Sequence, residues 1–471
     1  MAGLEIEVRC YCHGLGDCML VTLPKQDGSP FRMLIDCGLH SAAKGGPETM
    51  RRVVADLVAL TRTEASPGGK IDVIVGTHEH WDHLSAFLQE AEAFSRMTVG
   101  EVWLSWADDP EDRDGRKLDR YKADTAAALT GAALRMAASG ELPDVASGVE
   151  ALLGFSFGAK GERVRDARER LRHLAPVRYL EPGSVLPLSD VPGIRVYVLG
   201  PPRDLKLLGI EDIPSETYAL GLNAASVSPL GNALELVEGR LEIDDDPGAP
   251  FDGSAGVPLE DFLAGKWGKD AAADQFLWNA YLGPDTKGQD QAWRRIDGDW
   301  LASSMDLSLQ LDSRTNNTSL VLALEIVDTG RVLLFAADAQ IGSWMSWPDL
   351  RFTPRPEVTV TGDDLIRRTV FYKVGHHGSR NATRAAGLEA MDRSSLVAFS
   401  PTDESMARSV RWKDFPSHKT SARLRELTSG RFIQSDADWL HDGAVEPPFR
   451  IGGALRAFRV EHGLYIDVRL A

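Results

Sequence analysis

The chain has 471 residues, 43% of them apolar, and its 69 acidic against 52 basic side chains give a formal net charge of −17. That length suits one large domain with insertions, or two to three domains, with a substantial core. An acidic chain lacks the basic footprint of a non-specific nucleic-acid binder, and neither a run of ~18 apolar residues nor a leader-like start occurs, so a cytoplasmic protein without a membrane segment is expected.

From the N-terminus, residues 1–107 alternate strand and helix signals as a layered α/β domain does. Two short strands come first, then a third ending at Asp36. All four cysteines, Cys10, Cys12, Cys18 and Cys37, fall here. Cys10 and Cys12 alternate along a strand and share a face, and without CxxC spacing the expectation is buried, reduced thiols. Asp17 reads as a turn residue. A helix is expected near Glu48 to Leu60, and the unbroken run Ile71 to Val75 has the composition of a strand buried on both faces.

Directly after that run, Thr77-His78-Glu79-His80-Trp81-Asp82-His83 places three histidines and an aspartate within six residues. Leu84, Phe87, Leu88, Ala91 and Phe94 then recur at helical spacing, which puts the cluster on a strand-to-helix loop. Imidazoles and carboxylates at this density mark a transition-metal site; the bland alternative is a histidine-rich surface loop with Asp82 capping the helix. In extended backbone His78 and His80 project to one side and can share an ion, while Asp82 and His83 turn with the helix, so two adjacent ions are expected.

A strand at Thr98 to Trp106 follows. Residues 108–175 read as a helix-rich insertion; it holds His173, the only histidine between His83 and Asp338, here a solvated helix residue. Residues 176–202 return to strand and turn chemistry. Residues 203–312 contain 21 acidic and 8 basic side chains, so they carry 13 of the 17 excess negative charges. With Asp244-Asp245-Asp246-Pro247-Gly248 and Trp267, Trp278, Trp293 and Trp300, this segment is too aromatic for simple disorder and reads as a folded, loop-rich insertion. Both insertions are candidates for a lid over the metals; a peripheral module for oligomerisation or a partner protein is equally open for the acidic one. Residues 313–471 resume the alternation. Thr318 to Val327 is a strand, Asp328-Thr329-Gly330 turns into the strand ending at Asp338, Leu396 to Phe399 is a strand, Ser421 to Leu427 a helix, and Leu455 to Val460 and Leu464 to Leu470 are closing strands.

His78, His80, Asp82 and His83 match HxHxDH, and in this the chain resembles the metallo-β-lactamase superfamily. Further stretches are similar to the hydrolase domains of ComEC-type DNA-uptake proteins and their relatives, the teichoic-acid phosphorylcholine esterases: His13 to Val21, Leu34-Ile35-Asp36-Cys37-Gly38, Val332 to Asp338, Lys373-Val374-Gly375-His376-His377-Gly378-Ser379, and more loosely Phe415-Pro416-Ser417-His418. The resemblance implies an α/β protein with a four-layer αββα sandwich and two divalent ions, zinc or manganese. It assigns His78, His80 and Asp338 to one ion, and Asp82, His83, Asp338 and one of His376, His377 or His418 to the other. No GHT-like turn supplies a third histidine to the first ion, which leaves that site open to water or substrate and as suited to manganese as to zinc.

Asp338 can bridge the ions because a carboxylate has acceptors for both. If extended, His376 and His377 point opposite ways, so one completes the second site while the other faces substrate as acid or phosphate donor; which does which stays open. Asp36 orients a ligand from behind, and Lys373, Ser379 and Arg380 stand behind the ligands or near an anionic substrate oxygen. The expected function is a metal-dependent hydrolase, phosphodiesterase or nuclease-like, with water activated by the ions as nucleophile, and a nucleic-acid strand end remains an admissible substrate. The alternatives are a lactone, thioester or phosphorylcholine ester hydrolase, and a non-catalytic binding module on the same fold.

Overall fold

The computed structural model describes residues 5–139, 143–157, 162–188, 190–210, 275–276, 278–288, 291, 303–409 and 415–471. The first sheet is built from β1 (Ile6–Tyr11), β2 (Cys18–Pro24), β3 (Pro30–Cys37), β4 (Lys70–Val75), β5 (Thr98–Ser105) and β6 (Val177–Leu180), and the second begins with β7 (Val185–Pro187) and β8 (Ile194–Gly200). After the insertions come β9 (Val321–Ile326), β10 (Val332–Phe335), the separate hairpin β11 (Arg351–Arg355) and β12 (Val358–Thr361), then β13 (Thr369–Lys373), β14 (Val397–Ser400) and β15 (Phe432–Gln434). The last two strands, β16 (Leu455–Glu461) and β17 (Tyr465–Leu470), return to the first sheet. The sheet orders are β16-β17-β1-β2-β3-β4-β5-β6 and β15-β14-β13-β10-β9-β8-β7, so the chain is mixed α/β with two large mixed sheets.

Alternation places one face of each sheet in a shared apolar cluster: Val8, Met19, Val21, Ile35, Val73 and Val75 from the first meet Val196, Leu322, Leu324, Leu333, Phe371 and Val397 from the second. Each such side chain contributes about 1.5–3 kcal/mol relative to an exposed one. The opposite faces are covered by helices. On the first sheet these are α1 (Gly46–Thr61) and α2 (Trp81–Gln89), with Met50, Val53, Val54, Leu57, Leu84 and Phe87 in the cluster. Helix α1 forms because those apolar residues recur every three to four positions behind a proline in its first turn. The helical run after the metal loop is interrupted at Glu90, which separates α2 from α3 (Ala91–Ser95).

The helix-rich segment forms α4 (Arg113–Ser139), α5 (Pro143–Phe157) and α6 (Glu162–Arg172); α7 (Leu205–Leu208) and α8 (Ser303–Asn317) flank the acidic one. By packing, the chain divides into a larger unit, Met1–Ala123, Leu152–Leu222 and Gln310–Ala471, and a smaller one, Asp124–Ala151 and Asn223–Leu309. The larger unit contains both sheets. The smaller draws on both insertions, and within it Leu129, Ala132, Met136 and Val149 are buried. The Asp244 to Gly248 run and Trp267, Trp293 and Trp300 lie outside the described residues. Among the described residues no helix is long and apolar enough to cross a membrane.

A glycine locks the end of β3 against the loop that carries His78 to His83. A Cβ on Gly38 would lie 2.4 Å from the backbone carbonyl carbon of Asp82, a contact only glycine avoids. Asp17 N donates to Asp82 O at 3.0 Å and Leu39 N to Ser85 Oγ at 2.9 Å, so three segments far apart in sequence are held together at this corner.

Candidate metal centre

The candidate residues follow parallel strands. β3, β4 and β5 run parallel in one sheet, and β10, β13 and β14 in the other. Asp36 closes β3, His78 to His83 follow β4, Asp338 lies three residues beyond β10, and His376 and His377 follow β13. Such strand ends present loops that a rigid sheet positions.

Asp82, His83, His377 and Asp338 converge. His377 Nε2 lies 2.8 Å from Asp82 Oδ2 and 3.5 Å from Asp338 Oδ2, and His83 Nε2 lies 3.1 Å from Asp338 Oδ2 and 3.7 Å from Asp82 Oδ2. All four residues are fully buried. Atoms that bind one ion at about 2.0–2.2 Å stand roughly 3–3.5 Å apart, which is the spacing here. Asp82 Oδ1, His83 Nε2 and Asp338 Oδ2 have no hydrogen-bond partner among the described residues. Buried polar atoms left this way, among imidazoles and carboxylates this close together, form a cluster that could hold a metal ion.

A second pair adjoins the first. His78 Nε2 is 3.0 Å from His80 Nδ1, with ring centroids 4.6 Å apart. Behind them runs a hydrogen-bonded chain: His78 Nδ1 donates to Thr77 Oγ1 at 3.1 Å, Thr77 Oγ1 donates to Asp36 Oδ2 at 2.6 Å, and His83 Nδ1 donates to the same Asp36 oxygen at 2.7 Å. Asp36, itself at a left-handed φ of 55°, therefore fixes one imidazole of each set. This direction turns His83 Nε2 inward to Asp338 and Asp82, and His78 Nε2 toward His80 Nδ1. His377 Nδ1 donates to Pro401 O at 3.0 Å to the same effect.

The two sets differ in charge preference. Burial disfavours the His83 cation, but Asp338, Asp82, Asp17 and Asp36 together outweigh it and raise its pKa well above the usual histidine range; His377 is raised in the same way by Asp338 and Asp82. Burial, reinforced by neighbouring imidazoles, pushes His78 well down and His80 to about 3. Burial opposes ionisation of Asp82 and Asp338, yet His83 and His377 hold Asp82 at about 2 and Asp338 well below the carboxylate range.

The loop conformations depart from the extended backbone expected. At the signature, His80 N donates to His78 O at 3.0 Å, a three-residue turn centred on Glu79, and this turn brings the two rings together. His376 and His377 are both left-handed, with φ of 42° and 50°, between Gly375 and Gly378. His377 thereby reaches the buried set. His376 Nδ1 instead lies 3.0 Å from Ser379 Oγ and 3.2 Å from Gln340 Nε2. His418 does not join them: Ser417 Oγ caps the helix His418–Leu427, so His418 sits on an exposed first turn, and His377 occupies the place beside Asp82. Arg380 is also exposed.

Asp17, read from sequence as a turn residue, is buried beside the ligands, within one group with His83, Asp338 and His377. Its partner is Lys373, fully buried, whose Nζ lies 2.5 Å from Asp17 Oδ2 and 3.2 Å from Asp338 Oδ1 and donates to Ala337 O at 2.8 Å. Burial opposes the Lys373 charge, but the two aspartates hold it, so the ammonium occupies one Asp338 oxygen and leaves Oδ2 to the imidazoles. The one sequence signal for Asp17 is its place between Gly16 and a strand, which turns share. His173 is exposed, and the four cysteines are buried and free.

Comparison with protein-family models, curated proteins and solved structures finds no match to this chain. What can be said of its chemistry therefore comes from its own residues.

Proposed function

We propose that the chain is a dinuclear metal hydrolase with the sandwich fold of the metallo-β-lactamase superfamily, similar to ComEC-type hydrolase domains, and that it cleaves a phosphodiester in the cytoplasm. The observation that carries this reading is the pair of adjoining sets, His78 with His80 and Asp82 with His83 and His377, of which the second converges on one carboxylate oxygen, Asp338 Oδ2. Divalent ions bound there would supply positive charge to substrate oxygens and lower the pKa of a water to about 7. Asp36, Thr77 and the Pro401 carbonyl fix which ring nitrogens face inward, so the ligands need no reorganisation. Lys373 keeps Asp338 ionised and oriented. Ser379 anchors His376 at Nδ1, and burial holds that ring's pKa at about 4, so it is neutral at physiological pH and relays a proton at Nε2.

A second reading, hydrolysis of a small lactone, thioester or phosphorylcholine ester, is favoured by the charge of −17, which repels a long polyanion. The test is metal content by mass spectrometry, with turnover of bis-p-nitrophenyl phosphate in added manganese or zinc. Near two ions per chain with turnover supports the diesterase. Two ions without turnover of any diester, single-stranded DNA and RNA included, overturns it in favour of the small-ester reading. A chain that binds no ion overturns both.

A further inference from the structure

Glu79 lies between two proposed ligands yet takes no part in the chemistry above. It is 2% exposed, and it is the central residue of the turn that closes His78 on His80. While the His78 and His80 imidazoles face each other, the Glu79 carboxylate faces the helix-rich insertion. Its Oε2 accepts from Arg168 Nη1 of α6 at 3.0 Å and lies 3.6 Å from Lys122 Nζ of α4. Arg168 and Lys122 are themselves buried. Arg168 Nη1 also donates to Asp119 Oδ1 at 2.9 Å and lies 3.7 Å from Asp108 Oδ1, so it ties α4, α6 and the end of β5 to the turn. α6 also packs along α2, where Arg163 stacks over Trp81 with its guanidinium carbon 4.5 Å from the ring centroid. A buried carboxylate in such a network holds one geometry, because any displacement leaves charge uncompensated in a dry interior.

We infer that Glu79 is a positioning residue for the first ion: clamped by Arg168 and Lys122, it holds the turn that sets the spacing of His78 Nε2 and His80 Nδ1. This gives α4 and α6 a task other than that of a lid. The inference rests on the dinuclear reading and adds that the first site depends on the insertion while the second, built on Asp82, His83 and His377, does not. Coupling is reciprocal, so filling the first site also protects α6 amides from exchange.

The test is equilibrium dialysis of the full chain against buffered manganese and zinc, for wild type, Glu79→Gln, Arg168→Gln and Lys122→Gln. The control, Glu325→Gln, disrupts a network with Arg195, Tyr197 and Arg368 that contains no site residue. The expected result is weakening of one ion by about 10–100-fold in Glu79→Gln and Arg168→Gln, the size seen for residues that orient metal ligands. The other ion stays bound, and the control keeps both. Should Glu79→Gln fail to fold, Lys122→Gln, which leaves Arg168 on Glu79, gives the same readout at smaller size. Two ions bound with wild-type affinity in every folded clamp variant overturns the inference alone, as does equal loss in Glu325→Gln, which would reflect general destabilisation. A wild-type chain without ions overturns the hydrolase reading first.

Discussion

The two halves of the centre use the same residue types in opposite electrostatic settings. His83 and His377 lie among Asp338, Asp82 and Asp17, and hold protons when no metal is bound, because burial is outweighed by those carboxylates. His78 and His80 are kept neutral mainly by burial, although Asp82 and Asp338 oppose this at His80 and Asp312 Oδ1 lies 3.8 Å from its Nε2. One half is a carboxylate-rich recess that could hold a cation, and the other is a pair of neutral imidazoles hydrogen-bonded to each other. The difference teaches that surrounding charge, and not the number of candidate ligands alone, sets how strongly a cluster favours a cation; on the dinuclear proposal the Asp82 set would be the tighter.

The sharpest way to break this comparison is Asp338→Ala, which removes the oxygen that His83 and His377 face and that the proposed dinuclear site would share. Diesterase turnover should fall by about 10²–10³ or more, as when a preorganised charge-stabilising group is lost, and mass spectrometry should find both ions depleted. Retention of a full second ion would show that the halves are independent.

Asp36→Asn comes next, since Asp36 holds His83 directly and His78 through Thr77. Both affinities should fall, by about 10–100-fold, measured by competition with a chromogenic chelator. A drop in only one site would mean that the Thr77 link carries nothing.

pH separates the halves without mutation. In the metal-free protein His83 and His377 have raised pKa values, so ion binding must release their protons, and affinity at the Asp82 set rises with pH above the ordinary histidine value of about 6.5. His78 and His80 are depressed and already neutral there, so affinity at their site is flat over the same window. Calorimetry in buffers of different ionisation enthalpy reads the protons released; equal release at both sites would contradict the contrast. The smallest effect is predicted for His418→Ala. Because His418 is exposed on a helix turn, metal content and turnover should stay within about twofold of wild type.

Some of this was written locally. The β-branched run before His78, the helical spacing after it, and the turn at Asp328 to Gly330 all lie within a few residues of the features they specify. β4, α2 and the β9-β10 antiparallel pair stand where those patterns put them. The density of histidine and aspartate between His78 and His83 marked the centre for the same reason: its residues are neighbours in the chain. Asp17 was not legible, because a turn aspartate and a buried aspartate paired with Lys373 have the same local sequence and differ only in what the second sheet brings to them. His376 and His377, taken as extended from the sequence, are left-handed between Gly375 and Gly378, a loop conformation that their own residue types do not specify.

The sequence by itself thus determined the periodicities, the breaks and the kind of chemistry available, since these depend on side chains adjacent along the backbone. Tertiary structure alone decided which histidine completes the buried set, which aspartate pairs with the lysine, and that Glu79 meets Arg168, 89 positions away. Those choices follow from burial, which removes water as a partner and makes each charged group depend on whichever distant residue the packed sheets and helices deliver.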